Sequence, residues 1–193
     1  MRIFLIRHGL TELGEQKRYQ GSLDTPLSEN GRKLLHPAGF VPDLLAVSPL
    51  LRARETADLL FPLCRQTVLP ALQEMDFGAF EGRAWWEMEE DPLYRAWVDG
   101  GCLARCPGGE DRAAFSKRVC RDFESLLEDA LAAGLESVAV VAHGGTQMAV
   151  LEKWGRPPRE YYQWQTVCGH GWQLDADSWP DSLSVIGEVD YTI

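Results

Sequence analysis

Three stretches of the chain are apolar at nearly every position. They are Ile3 to Ile6 (IFLI), Leu44 to Val47 (LLAV) and Ser137 to Ala142 (SVAVVA), with a shorter candidate at Thr67 to Leu69. An unbroken apolar run, as opposed to an alternating one, suits a strand covered on both faces. Segments of helical period lie between these runs. Ser28 reads as an N-cap with Glu29 in the first turn, and that helix runs through Leu34-Leu35 and must end near Pro37. A second helix covers Leu50 to Phe61. The longest opens at Glu110 or Asp111 and runs to about Ala133, with Phe115, Val119, Phe123, Leu126, Leu127 and Leu131 on one face and Gly134 as its stop. A further helix from Thr146 to Trp154 is closed by Gly155 and Pro157-Pro158. The tail, Trp172 to Leu174 and Leu183 to Val189, alternates apolar and polar positions and predicts a terminal hairpin. Strands alternating with helices predict an α/β fold, a three-layer α/β/α sandwich whose central sheet is mainly parallel with an antiparallel addition at its end.

Two segments carry no such period. Leu10 to Leu27 is polar and punctuated by glycine, a long loop with at most a helical turn; Gln73 to Gly82 is an irregular loop. Ala84 to Trp97 holds Trp85, Trp86, Met88, Leu93, Tyr94 and Trp97, short helices of a small cap around residues 76–107, followed by a turn at Cys106 to Gly109. With no linker or low-complexity tract, residues 1–193 form one domain.

Composition narrows the function classes. At 45% hydrophobic and 25% charged residues the chain is ordinary globular material, and its apolar start is too short for a signal or a span and is interrupted by Arg7, so a cytoplasmic location is expected. Five cysteines, an odd number, argue against a disulfide framework. A net charge of −10 opposes nucleic acid as a partner, and nothing points to a membrane. A small anion needs only a few cations aimed at one spot. Oligomeric state leaves no mark on the pattern.

Those cations stand at the strand ends. The first strand stops at Arg7-His8-Gly9, the second at Ser48-Pro49 with Arg52 just beyond, and the third long one at His143-Gly144-Gly145. Neighbouring strands of a parallel sheet lie about 5 Å apart, so their carboxyl ends would bring two imidazoles and two guanidiniums to one pocket. Such a pocket asks for a phosphoryl group, which Arg binds through a bidentate fork and a helix N-terminus favours. A neutral imidazole can attack phosphorus and pass the group to water in a second step, while flanking cations stabilise the equatorial oxygens. The leaving alcohol needs a separate acid on the opposite side. Glu74 is the best candidate, with Asp76 and Glu81 as rivals on spacing. A lone histidine would read as structural, but two in this company do not. Zinc would want a third ligand and would be opposed by the arginines, so neither metal nor cofactor is expected. His36, His170 and Arg54 read as ordinary residues, although His170 could line the mouth; Trp85, Trp86 and Trp97 read as core, although one or two could rest on the substrate's leaving group if the short helices form a lid.

Arg7-His8-Gly9, RYQG (Arg18 to Gly21), DTPLSENG (Asp24 to Gly31), SPLLRARETA (Ser48 to Ala57), LQEMDFGAFEG (Leu72 to Gly82) and VVAHGG (Val140 to Gly145), in that order, resemble the histidine phosphatase superfamily, phosphoglycerate mutase-like branch. The resemblance covers most of Met1 to Trp154. It implies the phosphoglycerate mutase-like sandwich, His8 as phosphohistidine nucleophile, Glu74 as proton donor, and Arg7, Arg52 and His143 as phosphate holders in a reaction without metal. Arg18, Gln20 and Gly144 fall in the same motifs as further substrate-binding residues. Leu10 replaces the acidic residue common after the Arg-His-Gly, and Gly14 stands where the family usually has an asparagine that donates to the phosphate. One lost donor of that kind costs on the order of 1–3 kcal/mol unless water or Arg18 substitutes.

Between Gly82 and Pro107 there is no long insertion with paired arginines of the kind the mutases use to anchor a substrate carboxylate. Hydrolysis of a small-molecule phosphate monoester is therefore expected over mutase-type transfer, with a weak phosphate-binding module as the non-enzymatic alternative. AFSKRVCRDF (Ala114 to Phe123) after the Gly-Gly-Glu turn and the late GHGW (Gly169 to Trp172) are similar to α-ribazole phosphatases, and broad specificity is an equal expectation.

Overall fold

The computed structural model describes residues 1–193. The strands are β1 (Arg2–Arg7), β2 (Leu44–Val47), β3 (Gln66–Val68), β4 (Ser137–Ala142), β5 (Gly155–Arg156), β6 (His170–Asp175) and β7 (Leu183–Asp190). The helices are α1 (Glu12–Glu15), α2 (Glu29–Leu34), α3 (Leu51–Leu60), α4 (Pro92–Asp99), α5 (Arg112–Ala132) and α6 (Gly144–Trp154). All seven strands join one sheet in the order β3-β2-β4-β1-β6-β7-β5. Its first half is parallel, β6 runs antiparallel to both β1 and β7, and β5 lies parallel to β7.

The apolar runs are continuous because successive side chains enter different cores. Ile3 and Leu5 of β1, with Val138 and Val140 of β4, face the larger core against α5 and α6. Phe4 and Ile6, with Ala139 and Val141, face a smaller core closed by Ala53, Ala57 and Leu60 of α3. Each strand is the shared wall of two layers, which is the expected sandwich. Truncating Leu5, fully buried here, to alanine would cost about 2–5 kcal/mol.

Register delivers the chemistry. Arg7 lies opposite Ala142, and Val47 opposite Val141. The ladder continues one step past each pair, through His8 N–H to the Ala142 carbonyl (2.9 Å) and Ser48 N–H to the Val141 carbonyl (3.0 Å). His8, Ser48 and His143 thus leave the sheet level with one another.

Several boundaries differ from expectation. Helix α6 begins at Gly144, two residues early, because the first helical turn needs free N–H groups more than it needs side chains. β3 begins at Gln66, and β5 is a two-residue strand hidden in the Gly155-Pro158 helix stop. The irregular 73–82 loop contains a 3-10 turn at Gly78–Phe80. Asp111, not Glu110, caps α5, accepting from Ala114 N–H at 2.8 Å. Phe80, Met88, Tyr94, Trp97 and Cys106 of the cap segment are buried in the larger core. Trp85 and Trp86 are not core residues; they pack edge-to-face on one another with about half of each exposed (50% and 46%). All five cysteines are free thiols, and no helix is long and apolar enough to cross a membrane.

Candidate active site

His8 leaves β1 buried, its Nδ1 2.7 Å from the carbonyl of Gly9. A carbonyl can only accept, so the hydrogen-bond pattern puts the proton on Nδ1 and leaves Nε2 with a lone pair. Burial, then the charges of Arg52 and Arg7, push the His8 pKa well below the usual imidazole value against the pull of the Gly9 carbonyl. The ring is neutral at neutral pH.

Arg52, the second residue of α3, is fully buried in front of that nitrogen, its Nε 3.3 Å from His8 Nε2. Its two terminal nitrogens donate to the carbonyls of Leu23 (2.7 Å) and Gly21 (2.8 Å), so the long polar loop exists to hold this guanidinium. Gly21 has φ +53, and a Cβ there would strike the Glu81 carboxylate and the Met75 carbonyl. Glu81 in turn accepts from Ser22 N–H (2.6 Å), Ser22 Oγ (3.0 Å) and Phe77 N–H (3.0 Å), tying the two irregular loops together.

His143 is the N-cap of α6 and wholly buried, its ring centroid 5.2 Å from that of His8 in an edge-on arrangement. Its Nε2 lies 2.7 Å from Ser48 Oγ. The Ser48 hydroxyl donating there places the His143 proton on Nδ1, which has no partner in the chain. Burial first, then Arg52, His8 and Arg7, push its pKa well below normal. Arg7 donates through one terminal nitrogen to the Thr166 carbonyl and keeps its Nε buried and unpartnered. Two buried donors are therefore left without a partner, the Nδ1 of His143 and the Nε of Arg7, beside the guanidiniums of Arg7 and Arg52.

Glu74 closes the opposite side. One carboxylate oxygen accepts from Gly145 N–H at the start of α6 (3.1 Å) and the other from Met75 N–H (2.9 Å). A Cβ on Gly145 would collide with Glu74 and with the ring of Phe115, and one on Gly144 would press on Gln165 and the Arg7 guanidinium. That close approach explains the glycine at 145; at 144 the space is tight only against the Gln165 amide. Of the rivals, Asp76 is spent on Gly78 N–H (2.8 Å), and Glu81 on the loop contacts above. Neither lines the cavity, whereas Glu74 does.

Pattern reasoning missed the residue that holds Glu74 in place. Arg118 of α5 donates to the carbonyls of Ala71 (2.8 Å), Gln73 (2.8 Å) and Glu74 (3.0 Å), and to both Glu110 oxygens (2.8 Å each). Ser48 was missed as well, although its place at a strand end obeys the same rule that singled out His8 and His143.

The cavity over these groups has a volume of about 250 Å³ and is lined by Arg7, His8, Arg52, Glu74, Gly144 and Gln20 at its floor, with aromatic side chains above. Gln20 is oriented by Thr11 Oγ1, which donates to its Oε1 at 2.8 Å. Its Nε2 lies 3.4 Å from where a Cβ at Gly14 would be, so the amide stands beside the space vacated by the family's asparagine. Arg18 is at the cavity wall with its guanidinium turned aside, paired in a fork with Glu87 (2.7 and 2.8 Å) and to the Gly82 carbonyl (2.8 Å). Neither His143, which is wholly buried, nor His170 is among the side chains lining the cavity; His170 stands between Glu188 (3.1 Å) and Asp190 (3.0 Å). No three His, Cys, Asp or Glu side chains converge anywhere to hold a metal ion.

Residues 3–172 match the sequence profile of the Histidine phosphatase superfamily (branch 1). The chain belongs to the histidine phosphatase superfamily. It is 37% identical over 157 residues to the adenosylcobalamin/alpha-ribazole phosphatase of Escherichia coli K12, covering 75% of this chain and 74% of that one. Among solved structures, the alpha-ribazole phosphatase of Shigella flexneri superposes with a TM-score of 0.79 at 27% identity, over 96% of this chain and 94% of that one. The phosphoglycerate mutase of Thermus thermophilus superposes with a TM-score of 0.71 at 32% identity over 98% of each chain. The fold is thus phosphoglycerate mutase-like and the protein is a phosphatase of this superfamily.

Proposed function

We propose that this phosphatase hydrolyses a small-molecule phosphate monoester through a phosphohistidine on His8. The ester's phosphoryl oxygens take the spare donors of Arg7 and His143 and the Nε–H of Arg52, which gives up its 3.3 Å bond to His8 Nε2 and so frees that lone pair. The lone pair on His8 Nε2 forms an N–P bond as the P–O bond to the leaving group breaks, and Glu74 as general acid delivers a proton to the departing oxygen. Water then attacks phosphorus, Glu74 recovers a proton from it, the N–P bond breaks, and inorganic phosphate leaves. The observation that supports this reading is the 2.7 Å contact of His8 Nδ1 to the Gly9 carbonyl, which leaves Nε2 unprotonated beside the guanidiniums of Arg52 and Arg7.

Hydrolysis is favoured over transfer because the cap offers no pair of arginines to retain a carboxylated intermediate. Arg83 pairs with Asp91 (3.1 Å), Arg105 pairs with Asp111 (3.0 Å), and neither reaches the cavity. α-Ribazole phosphate, which the names of two relatives carry, is the physiological substrate to test first, alongside a panel of other monoesters. Five unpaired thiols support a reducing, cytoplasmic location. In the deciding experiment His8→Ala is assayed for p-nitrophenyl phosphate turnover and for an acid-labile phosphoenzyme, both of which should be lost. Normal turnover by that variant refutes the mechanism.

A further inference from the structure

The geometry points to Gln147 as a positioning residue that sets the direction of the Arg7 guanidinium, acting through Thr166. The inference deepens the phosphatase reading above and rests on it for the placement of a phosphoryl group at Arg7.

Gln147 follows His143 by one turn of α6, and its N–H donates to the His143 carbonyl (3.2 Å). Its side chain has no exposure, in a stretch of α6 that is buried from Gly144 to Leu151. An amide in such a place has lost its water and is tolerated only when its polar atoms are paired. Here they are. Oε1 accepts from the hydroxyl of Thr166 (3.0 Å) and from its backbone N–H (3.3 Å). Nε2 donates to the Leu5 carbonyl of β1 (3.1 Å) and lies 3.5 Å from the His170 carbonyl. The reverse orientation would turn the amide NH₂ toward a backbone N–H and the oxygen toward two carbonyls, so these partners admit only one.

Thr166 spends every hydrogen bond it makes on two residues. Its N–H and hydroxyl go to Gln147, and its carbonyl accepts from a terminal nitrogen of Arg7. The Arg7 guanidinium makes no other hydrogen bond within the chain, and its Nε is buried without a partner. A long side chain held at one point takes its direction from that point. The circuit closes on its own strand, running from Arg7 to Thr166, to Gln147 and back to Leu5 of β1. The guanidinium is thus braced against the strand that carries it. Helix α6 directs the acid through Gly145 N–H, which Glu74 accepts, and directs a phosphate-binding cation through Gln147.

A purely structural role for Gln147 predicts lost stability with no selective loss at the phosphate. Inorganic phosphate binding, measured calorimetrically, separates the two and is read apart from turnover. Gln147→Met keeps length and burial but removes the amide, and should weaken phosphate binding about tenfold. Added to Arg7→Ala, the same change should weaken it by less than about twofold further, because the guanidinium it directs is gone. In the parent background kcat/KM should fall about tenfold for butyl and 2,4-dinitrophenyl phosphate alike, because the proton donor is untouched. Leu127→Ala, which opens a cavity under α5 away from these bonds, is the stability control and should keep phosphate affinity within about twofold of the parent. Where Gln147→Met does not fold, Thr166→Val decides. It removes one bond to Gln147, keeps the carbonyl, and should weaken phosphate binding about threefold, with no such loss in Arg7→Ala. Unchanged phosphate affinity, an equal loss with and without Arg7, or an equal loss in the control overturns the positioning. If the affinities follow the expected pattern but the parent cleaves no ester, hydrolysis fails and the positioning stands. A parent that binds no phosphate ends both readings.

Discussion

Replacing Arg118 by lysine should slow this phosphatase in a manner that depends on the leaving group. Arg118 uses all of its reach on the Glu74 segment, with three carbonyls and a bidentate carboxylate at 2.8–3.0 Å. A lysine is a point charge with three rotatable donors and cannot reproduce a planar fork, so it can keep Glu110 and at best one carbonyl. Each charged hydrogen bond is worth about 1.5–3 kcal/mol. The side chain is 24% exposed, so water recovers part of the two bonds lost. A net loss of about 1–3 kcal/mol follows, concentrated in residues 71–76. Catalytically the loss falls on the proton donor. A displacement of about 1 Å costs up to 10²-fold, and a positioned acid contributes 10²- to 10⁴-fold in all. For butyl phosphate, whose alkoxide must be protonated, kcat should fall about 30- to 100-fold. For 2,4-dinitrophenyl phosphate, whose leaving group needs no proton, the fall should stay under about threefold. Steady-state kinetics across a leaving-group series reads this as a steeper dependence on leaving-group pKa. Glu74→Gln should show the same dependence, and the double variant should be no slower than Glu74→Gln alone. Equal losses on both esters, or additive effects, would refute the positioning of the acid by Arg118.

Three further outcomes are expected. His8 and His143 are held neutral in the fold with pKa values below the unfolded value of about 6.5; the unfolded chain therefore binds more protons, and stability falls as pH drops below about 6.5. Each histidine contributes a slope approaching 1.4 kcal/mol per pH unit, and His8→Gln should visibly flatten a melting-temperature profile from pH 7 to 5; an unchanged profile contradicts the burial argument. Ser48→Ala leaves His143 Nε2 without its 2.7 Å partner in a fully buried site, so about 1–3 kcal/mol of stability should be lost along with roughly tenfold in kcat; calorimetry and kinetics unchanged from the parent would reject a positioning role. The atoms nearest a Cβ at Gly14 are the side-chain atoms Thr11 Oγ1, Leu10 Cδ1 and Gln20 Nε2 at 3.2–3.4 Å, which must give by a few tenths of an ångström; Gly14→Asn should then tighten inorganic phosphate binding by about tenfold through the added donor, which a titration showing equal or weaker affinity would disprove.

The fold was legible where physics acts on every residue of an element. SVAVVA could only be a strand between two cores, and β4 contributes to both. The periodic apolar face of α5 is buried from Phe115 to Leu127 as expected, while Leu131, placed on the same face, is 40% exposed. Legibility failed where a few contacts outweigh periodicity. β5 exists because two residues find the free edge of β7, a partner 28 residues away in sequence that no local pattern announces. Trp85 and Trp86 looked like core because large aromatic residues usually are, yet their turn is held by Glu87 accepting from Ala84 N–H (3.0 Å) and pairing with Arg18, and it needs no burial of the indoles.

The site divides in the same way. His8, Arg52 and His143 could be placed because they stand at strand and helix ends, where sequence position maps directly onto space, whereas Glu74 was chosen from an irregular loop by the need for an acid and by resemblance. Arg118 and Glu81 could not. Their work is to satisfy backbone groups of irregular loops, and any loop of that length presents such groups whatever its sequence. An arginine that binds three carbonyls looks, in sequence, like any arginine on an amphipathic helix: it is one turn beyond Phe115 and on neither the apolar nor the fully solvated face. The long loops, which the pattern marked only as aperiodic, do more than join elements. Gly21 and Leu23 hold the Arg52 guanidinium, and residues 71–74 are held by Arg118. The irregular backbone thus supplies the acceptors that orient the cations, while the regular elements supply only their positions. Arg18 makes the same point from the other side. It sits in a motif shared with Gln20, yet Glu87, sixty-nine residues on, turns its guanidinium away from the cavity. The direction of a long side chain is decided by its partner and not by its place in a motif.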